Sequence, residues 1–178
     1  MYPVFEIEWK GPYDSPTKTN KANILYLITG SKIKGPHVNK IRYIGKTTST
    51  AEGRFNPQHN YWKVFDKERK FWIGSIKGSN SASKTASALS KAEWLLVHYL
   101  YEYGNPKKIE LMNKCLLHEP KYKCFGVVNR WFNNKTNKEY TNYIFPFKAF
   151  PDIILWDKIR GHVISADRIL IDRDDEQE

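Results

Sequence analysis

Cysteine is scarce in this chain, with only Cys115 and Cys124 in 178 residues. The two do not form a CxxC pair and are too few for a structural zinc site, so both are expected to be buried or half-buried thiols. No apolar run approaches the roughly 20 residues needed to span a bilayer, and no charged-then-apolar leader opens the chain. These absences lead to the expectation of a soluble, cytoplasmic protein. Asn134-Lys135-Thr136 has the form of a glycosylation sequon, but without a secretion signal it carries no weight. No internal repeat is evident, so a repeat architecture is not expected.

Negative charge is also in short supply, with 19 acids against 29 bases and a net charge of +10. Five of those acids and one base fall in residues 172–178, leaving the other 171 residues with +14. A body that basic attracts polyanions through counterion release. Aromatics make up 15% of the chain and stand among cations in Trp62-Lys63 and Lys70-Phe71-Trp72. There they could stack on bases or sugars, or simply fill the core. The acidic tail is expected to be disordered and able to compete for the basic surface.

Residues 1–21 read as an arm, whose alternating Val4-Phe5-Glu6-Ile7-Glu8-Trp9 suggests an added edge strand. Two β-branched, apolar runs follow, Asn23-Ile24-Leu25-Tyr26-Leu27-Ile28-Thr29 and Lys40-Ile41-Arg42-Tyr43-Ile44-Gly45, both strand-like. Strand side chains alternate between faces, so the register of this pair decides whether Tyr26 and Tyr43 point the same way. Residues 48–55 predict a short helix carrying Arg54, residues 61–69 another, and residues 70–76 a third strand. The Gly, Ser, Ala and Asn of 78–88 predict a mobile loop, either a plain connection or one that orders on DNA.

Residues 90–103 predict the clearest helix, stopped by Gly104, Asn105 and Pro106, with Leu96, Val97 and Leu100 as its buried stripe. Glu93 stands on that same side. Ser90-Lys91-Ala92-Glu93 has the form of a capping box; the rival reading is a carboxylate that needs a cation to offset its desolvation. Beyond Asn113 the chain turns β-rich. Strand-like runs at 122–128 and 139–145 flank a polar turn at 133–138, and further extended segments lie at 152–156 and 162–171. Arg130, Lys135 and Lys138 would be exposed on that hairpin, for structural support or for target recognition.

Ile24-Leu25-Tyr26, then Tyr43-Ile44-Gly45-Lys46-Thr47, Arg54 eleven residues past Tyr43, Glu93, and Asn113 in Leu111-Met112-Asn113 follow one another in a telling order. Over residues 22–113 the chain resembles the GIY-YIG nuclease family. The first motif keeps its tyrosine and lacks the glycine, and the connection between motifs, with Lys32, Lys34, Gly35 and Pro36, is longer than usual in the family. The resemblance implies an α/β (α+β) fold, with a core of a small three-stranded antiparallel sheet flanked by helices and an added β-rich C-terminal region. It divides the chain into an arm (1–21), a nuclease core (22–114), a β-rich extension (115–171) and an acidic tail (172–178). It further implies metal-dependent hydrolysis of double-stranded DNA by a restriction-type endonuclease. A DNA repair or mobile-element nuclease, or a catalytically silent nucleic-acid-binding module, is the alternative. One divalent metal ion, Mg²⁺ or Mn²⁺, and a homodimer at least on DNA complete the expectation; no membrane is involved.

By the same resemblance Tyr26 is the leading base, Tyr43 its partner in orienting the water, Arg54 the phosphate clamp and Glu93 the metal ligand. Tyrosine is an unusual base, since its ordinary pKa of about 10 leaves it protonated near neutrality. Lys46 and Arg54 are the cations available to favour the phenolate. His59 is a further candidate for proton transfer or phosphate contact, with Tyr61 the competing choice. Gly45 and Asn113 are supporting positions, Asn113 either placing Glu93 or capping the helix end. His98 reads as packing or surface.

Overall fold

The structure is a computed structural model and describes residues 2–15, 21–32, 38–55, 67–78, 82–113, 122–140, 146 and 149–166. Seven strands form one mixed sheet in the order β3-β2-β4-β1-β5-β6-β7. They are β1 (Val4–Tyr13), β2 (Ile24–Ser31), β3 (Lys40–Thr47), β4 (Lys67–Ile76), β5 (Phe125–Asn133), β6 (Ile153–Asp157) and β7 (His162–Ala166). The helices are α1 (Ala51–Arg54) and α2 (Ala82–Tyr103).

This arrangement overturns the expected fold class. The protein is mostly β, and its sheet has seven strands rather than three, because β1 continues it from β4 into β5. The alternating N-terminal segment, expected at an edge, lies at the centre. β1 runs antiparallel to β4, with Trp9 opposite Gly74, and parallel to β5, with Trp9 opposite Trp131. The alternation itself was a sound strand signal. It measures one-sided burial, and a central strand with one half-covered face has the same period as an edge strand.

The described helices are correspondingly few. α1 has four residues, and residues 67–69 of the expected second helix belong to β4; residues 61–66 lie outside the described residues. The helix α2 begins at Ala82, so much of the segment expected as a loop is helical. Strand expectations in the β-rich region fare better. β6 and β7 fall where extended segments were expected, and β5 begins inside the expected 122–128 run but continues to Asn133. Beyond the turn at 134–136 Glu139 bridges back to Phe132; residues 141–145 of the other expected strand lie outside the described residues.

One face of the sheet packs on α2 through Leu25, Leu27, Ile44, Trp72 and Trp131, which meet Leu89, Leu96 and Leu100 in the main core. Trp9 stacks on Trp131 with ring centroids 5.3 Å apart, and Trp72 meets Trp131 edge-on at 5.3 Å. Each such ring buries about 150–250 Å², roughly 4–6 kcal/mol of transfer free energy as an upper bound. The Trp9 indole N–H is satisfied by Asn129 Oδ1 at 3.0 Å. The aromatics beside Lys70 are therefore structural: Phe71 is fully buried and Trp72 is 2% exposed. The Trp62-Lys63 pair lies outside the described residues.

Candidate active site

The opposite face of β2, β3 and β4 holds a second, smaller cluster that includes Tyr26, Tyr43, Ala51, Phe55, Phe71 and Ile73. Register brings the phenols together. Tyr26 pairs with Gly45 and Ile28 with Tyr43, so Tyr26 and Tyr43 are diagonal neighbours on one face. Their rings lie parallel, 5.8 Å between centroids at an interplanar angle of 3°. Gly45 makes this possible: a Cβ there would lie 2.4 Å from the Tyr26 Oη and 2.7 Å from Tyr43 Cε1. The motif glycine is the floor on which the Tyr26 ring rests.

Immediately after β3 the chain turns into α1, whose N-cap Thr50 accepts a hydrogen bond from the Gly53 N–H at 3.2 Å. Ala51 is buried beneath it. One turn on, the Arg54 Nε donates to the Tyr26 Oη at 3.4 Å, and the Phe55 ring meets Tyr26 edge-on at 4.6 Å. Tyr26 is fully buried, and burial is the largest influence on its pKa, pushing it above 10. Arg54 and the Tyr43 hydroxyl pull the other way; Glu93 adds to the rise. Sequence reasoning expected cations to favour the phenolate. In the free protein desolvation outweighs them.

Glu93 comes from α2 and reaches the outer edge of β3, where its carboxylate meets the Lys46 backbone N–H. That edge is otherwise taken by the segment after α2. Met112 N donates to Arg42 O at 2.9 Å, and Asn113 Nδ2 donates to Ile44 O. Arg42, Ile44 and Lys46 present their edge groups in succession, and Glu93 takes the last. Burial lifts the Glu93 pKa above the ordinary carboxylate range, although Lys46 and Arg54 both draw it down. Glu93 therefore lies within electrostatic reach of Arg54 and of Tyr26.

Two rival readings are settled by these contacts. Ser90 is not an N-cap: it lies inside α2, and its Oγ donates back to Ala86 O at 2.9 Å, so the capping box does not form and Glu93 is free of that duty. Asn113 does not cap the helix, which ends ten residues earlier at Tyr103; it holds the edge of β3. Asn113 is 5% exposed, and its Oδ1 has no hydrogen-bond partner among the described residues.

Lys46 departs from its expected place. Its Nζ donates to Ser90 Oγ at 2.5 Å, one turn before Glu93 on α2, so it serves the carboxylate side of the edge while Arg54 is the cation at the Tyr26 hydroxyl. Sequence reasoning missed Ser90 as the partner of Lys46 and Phe55 as the ring against Tyr26. The position of Phe55 beside Arg54 was the available signal. His59 and Tyr61 lie outside the described residues.

Elsewhere, Arg130 is engaged rather than free for DNA, bonding Glu139 at 3.0 and 2.6 Å and Glu6 at 3.3 Å. Lys135 and Lys138 are exposed. His98 is half-buried and stacks on Trp94 at 4.7 Å. Cys124 is a buried free thiol; Cys115 lies outside the described residues.

Compared with known proteins, the chain matches no family model, no curated protein and no solved structure. Among the described residues no helix is long and apolar enough to cross a membrane.

Proposed function

We propose that the chain is a metal-dependent endonuclease of GIY-YIG type, acting on double-stranded DNA as a restriction-type enzyme. The observation that carries this reading is the meeting at one strand edge of two stacked phenols, a guanidinium bonded to one of them, and a half-buried carboxylate. Phosphodiester hydrolysis needs an activated water, neutralised phosphoryl oxygens and relief of charge on the leaving oxygen. Tyr43 orients the water, Tyr26 as its phenolate accepts the water's proton, and Arg54 clamps the phosphate.

Glu93 is the residue that holds the divalent ion. A single carboxylate suits Mg²⁺ or Mn²⁺, since Mg²⁺ is commonly bound by one or two carboxylates with water and substrate phosphates completing its shell. The burial that lifts the Glu93 pKa is the same demand for a cation. When bound, the ion supplies Lewis-acid stabilisation of the phosphoryl charge. With its own charge balanced, Glu93 no longer opposes ionisation of Tyr26.

Incubation of supercoiled plasmid with and without Mg²⁺ tests the reading. Cutting is expected only with Mg²⁺, and Glu93→Gln should fall below a few per cent of the parent rate while still binding DNA. Plasmid left intact by the parent protein under every condition would overturn the proposal. One such site attacks one phosphate at a time, so double-strand scission is assigned to a two-fold dimer on DNA. Sedimentation with a duplex should show two chains per duplex; a one-to-one complex that only nicks would favour a repair-type nuclease.

A further inference from the structure

We propose that a cavity beside this site holds a nucleobase of the strand being cut, an assignment that rests on the nuclease reading. The cavity, of about 360 Å³, lies between the C-terminal end of α2 and the segment along the edge of β3, a volume within the range of small-molecule sites. Leu100, Ile109 and Met112 give it apolar lining, and Tyr101, 51% exposed, adds an aromatic face. A flat base stacks on such a ring, with a preference set by stacking strength rather than by hydrogen-bond readout.

The cavity adjoins the candidate active site across one side chain. Met112 lines it and also packs against the cluster that contains Tyr26 and Tyr43. Leu100 follows Glu93 by seven residues on the same face of α2. That places the cavity about 10 Å along the helix from the carboxylate, roughly three base steps of duplex. Its surroundings are cationic: Lys32 lines it, Lys40 Nζ bonds the carbonyl of the lining Pro106 at 2.9 Å, and Lys107 and Lys108 follow directly in the chain. Glu110, which also lines the cavity, cancels Lys32 and pairs with Lys40 and Arg42, so the surplus charge is that of the cations around the rim rather than of the lining. An apolar, aromatic cavity beside surplus cations suits a base with its phosphates outside.

The test is to cut a randomised duplex library with Mg²⁺ and sequence the released ends. The parent protein should show a base preference at one position within about three nucleotides of the cut. Tyr101→Ala should flatten that preference at least about fivefold and slow total cutting several-fold, whereas Tyr101→Phe, which keeps the ring, should retain both. An unchanged preference in Tyr101→Ala, or no preference near the cut in the parent, would overturn the assignment. A library left uncut by the parent would instead bring down the nuclease reading, and the cavity assignment with it. Because Tyr101 is half exposed, its variants should fold, and their thermal melts serve as the control.

Discussion

Glu93 is a residue at which activity and stability oppose each other. Its pKa is raised in the folded chain because burial outweighs the attraction of Lys46 and Arg54. The fold therefore binds the carboxyl proton more tightly than the unfolded chain does. That stabilisation is complete below the ordinary value of 4.5 and is lost as pH rises through the folded value. Glu93→Gln keeps an acceptor for the Lys46 N–H and removes the buried charge. It should melt about 1–3 °C higher than the parent at pH 7.5, with the difference closing below pH 4.5, as thermal melts across pH would show. Added Mg²⁺ should raise the melting temperature of the parent and not of the variant. A second consequence concerns rate. The acid limb should inflect above the ordinary carboxylate range, and because Tyr26 is pushed above 10, cleavage should keep rising through pH 9, by up to about tenfold per unit. In Tyr26→Phe that rise should vanish.

At the scale of the element, α2 is the clearest case of what could and could not be read. Its buried stripe of Leu96, Val97 and Leu100 was legible because a 3.6-residue period is a local signal. Its start was not, because Gly, Ser, Ala and Asn spell a flexible segment while Ser90 and Glu93 mimic a capping box. The two starts make different energetic claims. Removing a true N-cap serine typically costs about 1 kcal/mol, whereas replacing a serine inside a helix with alanine is neutral or slightly favourable, by up to about 0.5 kcal/mol. Ser90→Ala should therefore leave the chemical-denaturation midpoint nearly unchanged, the Lys46 ammonium turning to water in place of its bond to Ser90. A loss near 1 kcal/mol would restore the shorter helix. The tyrosine strands were legible for the same reason as the stripe, as were Arg54 after β3 and Glu93 on the core side of α2. What local patterns could not supply was the partner of each strand. Parallel pairing of β1 with β5 joins residues more than a hundred positions apart.

That pairing decides how the whole molecule holds together. The expected nuclease core, residues 22–114, contains β2, β3, β4 and α2 but lacks β1, which hydrogen-bonds to β4 on one side and β5 on the other. Cutting the chain at residue 21 would strip β4 of one of its two partners, leaving only β2 beside it. It would also remove Ile7 and Trp9, both fully buried, from the core that α2 packs on. Trp72 would lose Trp131 as well, since β5 falls outside the fragment. An open apolar strand edge and a half-emptied core are together a loss of many kcal/mol, set against the roughly 5–15 kcal/mol by which a domain is stable. An isolated 22–114 fragment should therefore show no cooperative thermal transition, whereas the full chain should give one. Circular dichroism and differential scanning calorimetry on the two would decide it. A fragment that melts cooperatively near the parent temperature would mean that β1 decorates the sheet. If the fragment is unfolded, the Tyr26, Tyr43, Arg54 and Glu93 site depends on β1, which reaches its cluster through Tyr13 and steadies the sheet that carries it.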